Sequence, residues 1–290
     1  MGLRLKFNLV LVAIFIIGLG AAGWVSNTLL LQNARSEVVK SAGLMMEAAL
    51  SVRKYTVDQV RPQLNKLPPE TFFPQTVPAY AATEVLGGFK QDYAEYSYKE
   101  AALNPTNPRD RAADWEADIV NQFRQANTDG DLLGERDTPN GRQLYLAKPI
   151  RITNPACLQC HTSAEAAPPA MVKIYGPANG FGWKLNEIIG AQIVSVPMEV
   201  PTRNARRSLV TFMGSLGLVF ALVFIVINVM LSLLIVRPIR DLSAAADKVS
   251  TGDFKQPEFK DKGKDEIAVL SASFNRMRRS LKKAMQLMRE

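Results

Sequence analysis

Two stretches of the chain carry no Asp, Glu, Lys or Arg: Phe7 to Ala34 and Ser208 to Val236. Each is longer than the roughly 20 apolar residues that cross a bilayer, so the pattern predicts transmembrane helices over residues 7–31 and 208–236. The first also has features of a cleaved signal peptide, with a basic start and the small residues Gly20-Ala21-Ala22-Gly23. Its length, and its unbroken passage into the helical spacing of Ala34, Val38, Leu44 and Ala48, favour an uncleaved anchor.

Between the two runs the period changes. A long helix is expected over about residues 33–63, ended by Pro62 and the pair Pro68-Pro69. Spaced prolines over residues 72–80 predict an extended crossing, then a short helix near Ala81 to Phe89. Asn107 has the chemistry of an N-cap and Pro108 that of a first helical residue. Trp115, Ile119 and Phe123 then repeat at four-residue intervals as one core-facing stripe. Residues 130–200 turn to strand. Leu132 to Arg136 and Gln143 to Ile150 flank an Asn140-Gly141 turn and predict a β-hairpin. Further strands are expected at Met171 to Tyr175 and Ile188 to Val196. Helix first, then a small antiparallel sheet, makes residues 32–207 an α+β domain.

After Val236 the period becomes heptad. Ile239, Leu242, Ala246 and Val249 alternate steps of three and four. Gly252-Asp253-Phe254 and the polar linker Lys260 to Lys264 interrupt them. The alternation resumes with Ile267, Leu270, Phe274, Met277, Leu281, Ala284 and Met288. Seams this narrow do not bury themselves in one chain, so residues 237–290 are expected to form a parallel four-helix coiled coil as a homodimer.

The formal charge of +8 raises the question of nucleic acid. Its distribution answers against it. Residues 1–31 carry +2, residues 32–236 carry +1, and residues 237–290 carry 13 basic against 8 acidic side chains. The excess lies beside the apolar runs, where anionic lipid is the simpler partner. Arg4, Lys6, Arg237 and Arg240 place residues 1–6 and 237–290 in the cytoplasm by the positive-inside rule, while Arg203, Arg206 and Arg207 count against it.

The chain has 2 Cys and 1 His, and all three fall in Cys157-Leu158-Gln159-Cys160-His161. C-x-x-C-H is the attachment signature of a c-type haem. A thioredoxin-type pair belongs with a βαβ pattern that is missing here. A disulfide across three residues would stabilise little, and zinc wants a fourth ligand. By the motif, Cys157 and Cys160 form thioethers to one covalent haem c and His161 is the proximal iron ligand. Such attachment takes place on the extracytoplasmic side, which makes residues 32–207 periplasmic and the chain a protein of the bacterial inner membrane.

Both halves resemble known families. Pro238-Ile239-Arg240-Asp241-Leu242, Gly252-Asp253-Phe254 and Asp265-Glu266-Ile267 resemble a HAMP domain. Such domains link membrane helices to signalling outputs in bacterial receptors. The other half resembles a family of bacterial haem-binding sensor domains with a PAS-like fold. That resemblance rests on Arg53-Lys54-Tyr55-Thr56, Pro74 to Tyr80, Lys99-Glu100-Ala101, Asn104 to Pro108 and Gly134-Glu135-Arg136. Cys157 to His161, Tyr175, Gly180-Phe181-Gly182-Trp183 and Gly190-Ala191-Gln192-Ile193 complete it. It implies one c-type haem packed on a PAS-like sheet.

The sixth iron position stays open among Met, Lys, Tyr, a main-chain group, water and vacancy. Met45 and Met46 stand first on the family register, against the reading of each as core filler. Arg53 is a candidate for a haem propionate, against the reading of a solvated base. The implied function is a transmembrane sensor of redox state or a diatomic gas that relays through HAMP to a downstream signalling protein. The alternative is a membrane-anchored c-type cytochrome carrying electrons, which has no use for the heptads. An enzyme is not expected: no second His is present for catalysis, and no kinase or cyclase module precedes Glu290.

Overall fold

The computed structural model describes residues 2–64, 66, 72–139, 141–255, 257–259 and 263–287. It divides into two compact units: Asn27–Ser208, and Met1–Ser26 together with Leu209–Glu290.

The Asn27–Ser208 unit begins within helix α1 (Leu3–Tyr55), which continues through a π-turn at Thr56–Val60 into α2 (Arg61–Leu64). The two predicted helices are thus continuous in sequence as one helical element. Pro62 sits inside its last turn rather than ending it, and Pro68-Pro69 lie outside the described residues. Helix α3 (Pro78–Gly87) opens on its proline. Strand β1 (Ser97–Ala102) and helix α4 (Asp114–Ala126) precede the hairpin of β2 (Leu132–Thr138) and β3 (Gly141–Arg151). Asn140 of its turn lies outside the described residues, and Gly141, which pairs with Thr138 and opens β3, has a positive φ of 101° that glycine adopts at little cost. Short helices α5 (Leu158–His161) and α6 (Pro169–Tyr175) lead to β4 (Ile188–Pro197).

The sheet is antiparallel in the order β1-β4-β3-β2. Alternation along its strands gives it two cores. Tyr98, Leu144, Leu146, Val194 and Val196 face Val38, Ala42, Met46 and Ala49 of α1, with Ala82 and Leu86 of α3. Ala101, Ala147, Ala191 and Ile193 face Ile119, Val120 and Phe123 of α4, the stripe read from the sequence. Each fully buried aliphatic side chain here stabilises by about 1.5–3 kcal/mol. Gly134 lets the Tyr145 ring lie flat against its backbone, where a Cβ would stand 2.3 Å from the ring. The ring in turn meets Trp115, over which Arg136 sits at 3.8 Å.

Two expectations need correction. Met171 to Tyr175 is helical, not a strand: Pro169 occupies the first turn, where its fixed φ suits a helix, and Met171, Ile174 and Tyr175 follow helical spacing. Strand β1 was not expected, because Lys99 and Glu100 interrupt its apolar pattern. Asn107 does cap with Pro108 following, its side chain accepting from Arg109 N–H at 3.2 Å. What it caps is the 3-10 turn Pro108–Asp110, one segment before α4.

In the second unit, the N-terminal part of α1 packs antiparallel on α7 (Glu199–Leu231), with Phe15 stacked on Phe220 at 4.7 Å and Gly23 against Met213. These two helices are long and apolar enough to cross a membrane. A π-turn, Ser232–Val236, joins α7 to α8 (Arg237–Ser250); α9 (Glu266–Leu287) follows. Leu242, Ala245, Val249 and Phe274 bury one another, with Phe254 and Phe259 against them. Asn275 clasps the main chain of Phe259 at both its N–H and its carbonyl. Ile239, Leu270, Met277 and Leu281 of the heptad stripe remain exposed, while Met288 and residues 260–262 of the linker lie outside the described residues.

Candidate functional site

The segment after β3 is built to present Cys157 to His161. Asn154 caps a 3-10 turn, its side chain accepting from Ala156 N–H at 2.9 Å, and α5 begins directly after Cys157. Both cysteines are free and half-buried. One turn of helix then aims His161 inward. Its Nδ1 lies 2.7 Å from the Gly180 carbonyl and 3.4 Å from the Thr106 hydroxyl. A carbonyl only accepts, so Nδ1 carries the proton and donates to it. The other ring nitrogen, Nε2, keeps its lone pair. This is the arrangement that orients a metal-binding imidazole. Burial lowers the His161 pKa, outweighing the Gly180 bond that favours the cation, so the ring is neutral.

Two further contacts fix the ring plane. Trp183 stacks on it at 3.8 Å and 13°, and Trp183 N–H donates to the His161 carbonyl at 3.2 Å. Gly180 itself is held by Asn104, whose side chain accepts from Gly180 N–H and donates to the Phe181 carbonyl, each at 3.1 Å. Gly180 has a φ of 86°, and a Cβ there would lie 2.0 Å from the Thr106 hydroxyl oxygen. The close approach shown at Gly180 is to Thr106.

Beside the motif lies a buried polar group on the α1 face of the sheet. Arg53 donates to both carboxylate oxygens of Glu100, which is 4% exposed. Tyr98 donates to Glu100 at 2.7 Å and accepts from Gln192 Nε2 at 3.3 Å. Burial opposes the Arg53 charge, yet Glu100, then Tyr98 and Cys157, hold its pKa above the ordinary arginine value. Burial first, then the Glu100 charge, pushes the Tyr98 hydroxyl well up. Arg53 is therefore not a solvated base; its partner in this structure is Glu100. Burial also raises the Cys160 thiol, and the nearby Arg61 works against that rise. The Arg61 Nε donates to the Thr76 carbonyl at 3.3 Å.

Met46 is fully enclosed in the core on the α1 face, and Met45 packs half-buried at its edge. Both lie about two helical turns, some 10–12 Å, before Arg53 along α1. Among the described residues, no three His, Cys, Asp or Glu side chains converge to hold a metal ion. The donor set fits a c-type haem: two free thiols for the edges, and one neutral imidazole with its far nitrogen available.

Sequence reasoning did not single out Thr106, Glu100, Tyr98, Gln192 or Arg61. Four of these lie in or beside stretches that carry the family resemblance: Thr106 meets His161, while Glu100, Tyr98 and Gln192 form the polar group on Arg53. Arg61 carried no signal beyond its charge.

Two family models match parts of this chain. Residues 31–197 match the family model described as Tll0287-like, and residues 230–283 match that of the HAMP domain. The chain belongs to the Tll0287-like family, with a HAMP domain following in the same chain. No curated protein matches it. A similar solved structure is the crystal structure of the cyanobacterial heme-protein Tll0287, 14% identical, covering 56% of this chain and 95% of that one with a TM-score of 0.43.

Proposed function

We propose that the chain is a bacterial inner-membrane signal transducer whose input is one haem c on Cys157 and Cys160, with His161 as iron ligand. The observation that carries this is the His161 Nδ1–H bond to Gly180, which leaves Nε2 free beside two free thiols. When bound, the haem would supply an iron that changes charge or takes a diatomic ligand. The chain's own residues do the rest. Gly180, Thr106 and Trp183 hold the imidazole, and Asn104 holds Gly180. The Arg53–Glu100–Tyr98–Gln192 group ties α1 to β1 and β4 next to Cys157, so a change of charge at the iron is felt by the helix that runs on toward the N-terminus. Arg53 stands by for a propionate only if Glu100 releases it. Of the sixth-ligand candidates, Met46 fills the core, and Met45 is freer to turn toward an iron.

In this reading residues 7–31 and 208–236 cross the membrane, residues 32–207 are periplasmic, and residues 1–6 and 237–290 are cytoplasmic. The exposed stripe of Leu270, Met277 and Leu281 meets the same stripe of a second copy. Output passes to a downstream signalling protein, and the chain itself catalyses nothing.

The test is cross-linking between copies of the full chain carrying Leu281→Cys with a bis-maleimide, which joins two thiols without an oxidant, with the haem oxidised, reduced, and reduced with CO. Redox sensing predicts a cross-link yield that differs between the first two states. Gas sensing predicts a CO-bound spectrum and a difference between the last two. A yield equal in all three states contradicts transduction and leaves an electron carrier.

A further inference from the structure

The two apolar helices are not uniformly apolar. Where the first turns of α1 meet the end of α7 and its π-turn, a cleft of about 510 Å³ opens, lined by Arg4, Asn8, Asn228 and Ser232 among apolar side chains that include Phe224 and Val229. The Asn8 side-chain oxygen, Oδ1, is buried there with no hydrogen-bond partner. Asn228 is 9% exposed and uses its amide on the Phe224 carbonyl at 3.0 Å. Ser232 opens the π-turn, a distortion that recurs at functional sites. An orphaned acceptor among apolar walls is costly unless a ligand meets it, and Arg4 stands beside it at the cytoplasmic end of α1, the level of lipid headgroups in this reading.

We infer that this cleft binds the headgroup of an anionic phospholipid, its phosphodiester on Arg4, a hydroxyl of the headgroup donating to Asn8, and its acyl chain along the wall of Phe224 and Val229. The inference rests on the reading that α1 and α7 cross a membrane. Charge selects the occupant. Among the described residues that line the cleft there is a cation and no carboxylate, and neither apolar run contains Asp or Glu. A second copy seated here about a two-fold axis would bring two Arg4 side chains together without a counter-ion. A phosphodiester supplies that charge, as in other basic pockets between membrane helices. The site adjoins Ser232–Val236, the joint between α7 and α8, so its occupant would bear on the helix that enters the HAMP domain.

The experiment is native mass spectrometry of the full chain in detergent, titrated with dioleoylphosphatidylglycerol, dioleoylphosphatidylmethanol (anionic, without a headgroup hydroxyl), dioleoylphosphatidylcholine, or inorganic phosphate. Wild type, Arg4→Gln, Asn8→Leu and the neighbouring-charge control Lys6→Gln are compared. The expected result is selective retention of phosphatidylglycerol. Arg4→Gln should weaken it about fivefold, the size of one arginine's attraction to an anionic headgroup. Asn8→Leu should erase the preference for a hydroxyl-bearing headgroup, and Lys6→Gln should change nothing. Equal retention by wild type and Arg4→Gln, displacement by inorganic phosphate, or efficient copy-to-copy cross-linking through Val229→Cys would each overturn the assignment. Recovery of the chain in the soluble fraction without detergent would instead overturn the membrane reading beneath it.

Discussion

His161 and Gly180 are nineteen residues apart and joined by a single short bond, Nδ1–H to carbonyl at 2.7 Å. Gly180 can make it only because it has no side chain: its φ is 86°, and an added Cβ would stand 2.7 Å from the Thr106 Cα. Gly180→Ala is therefore expected to cost about 2–4 kcal/mol, from the left-handed backbone and from overpacking. Urea unfolding of the full chain in detergent measures it. A loss under about 0.5 kcal/mol would mean that the loop moves aside and that the bond is not what sets the ring.

Arg53 and Glu100 form the second fixed relationship, between α1 and β1. Removing one member leaves the other charge buried, so Glu100→Gln should cost about 3–5 kcal/mol. Replacing both, Arg53→Met with Glu100→Leu, should cost clearly less than the sum of the single changes. A double-mutant cycle by urea unfolding gives the coupling. Simple additivity would show that Arg53 and Glu100 act independently.

Asp110 supplies a pH dependence with a definite sign. Burial first, with Glu100 adding and Arg109 and Lys99 opposing, raises its pKa from 3.8 to about 6. The folded state then holds a proton that the unfolded chain releases. Stability should fall as pH rises from about 4 to about 6 and then stay level. The side chain is 17% exposed, and the cost at neutral pH is roughly 2–3 kcal/mol. Asp110→Asn should remove most of that slope and raise the unfolding midpoint at pH 7. A variant with the same slope as wild type would place the titration elsewhere.

The sequence made some of this legible and hid the rest for physical reasons. Continuous apolar runs, the Trp115–Ile119–Phe123 stripe and the Asn-Gly turn are local signals, and each names an element whatever surrounds it. Strand β1 escaped because its apolar alternation is interrupted by Glu100, whose burial makes sense only beside Arg53 of α1, forty-seven residues away. Tyr175 looked like a strand end until Pro169 is weighed as a helix start. At the candidate site, Cys157, Cys160 and His161 are legible because their chemistry needs fixed spacing. Thr106, Asn104 and Trp183 act through a fold that brings two separate segments, residues 104–106 and 180–183, to one ring, and no spacing rule reports that. In the HAMP segment the heptads predict an apolar stripe correctly, but the chain buries Ala245, Ser271 and Asn275 internally and leaves Leu270, Met277 and Leu281 outward.

The most direct test of the central claim is the mass of the full chain after expression with the cytochrome c maturation machinery, measured under denaturing conditions. The account predicts a gain of one haem on wild type, retained through denaturation, and a pyridine haemochrome spectrum of two thioether bonds. Cys157→Ala and Cys160→Ala should each give the spectrum of a single thioether or lose the haem, and His161→Ala should lose the iron ligand. A wild-type chain that leaves the maturation pathway at its bare polypeptide mass would contradict the account at its root.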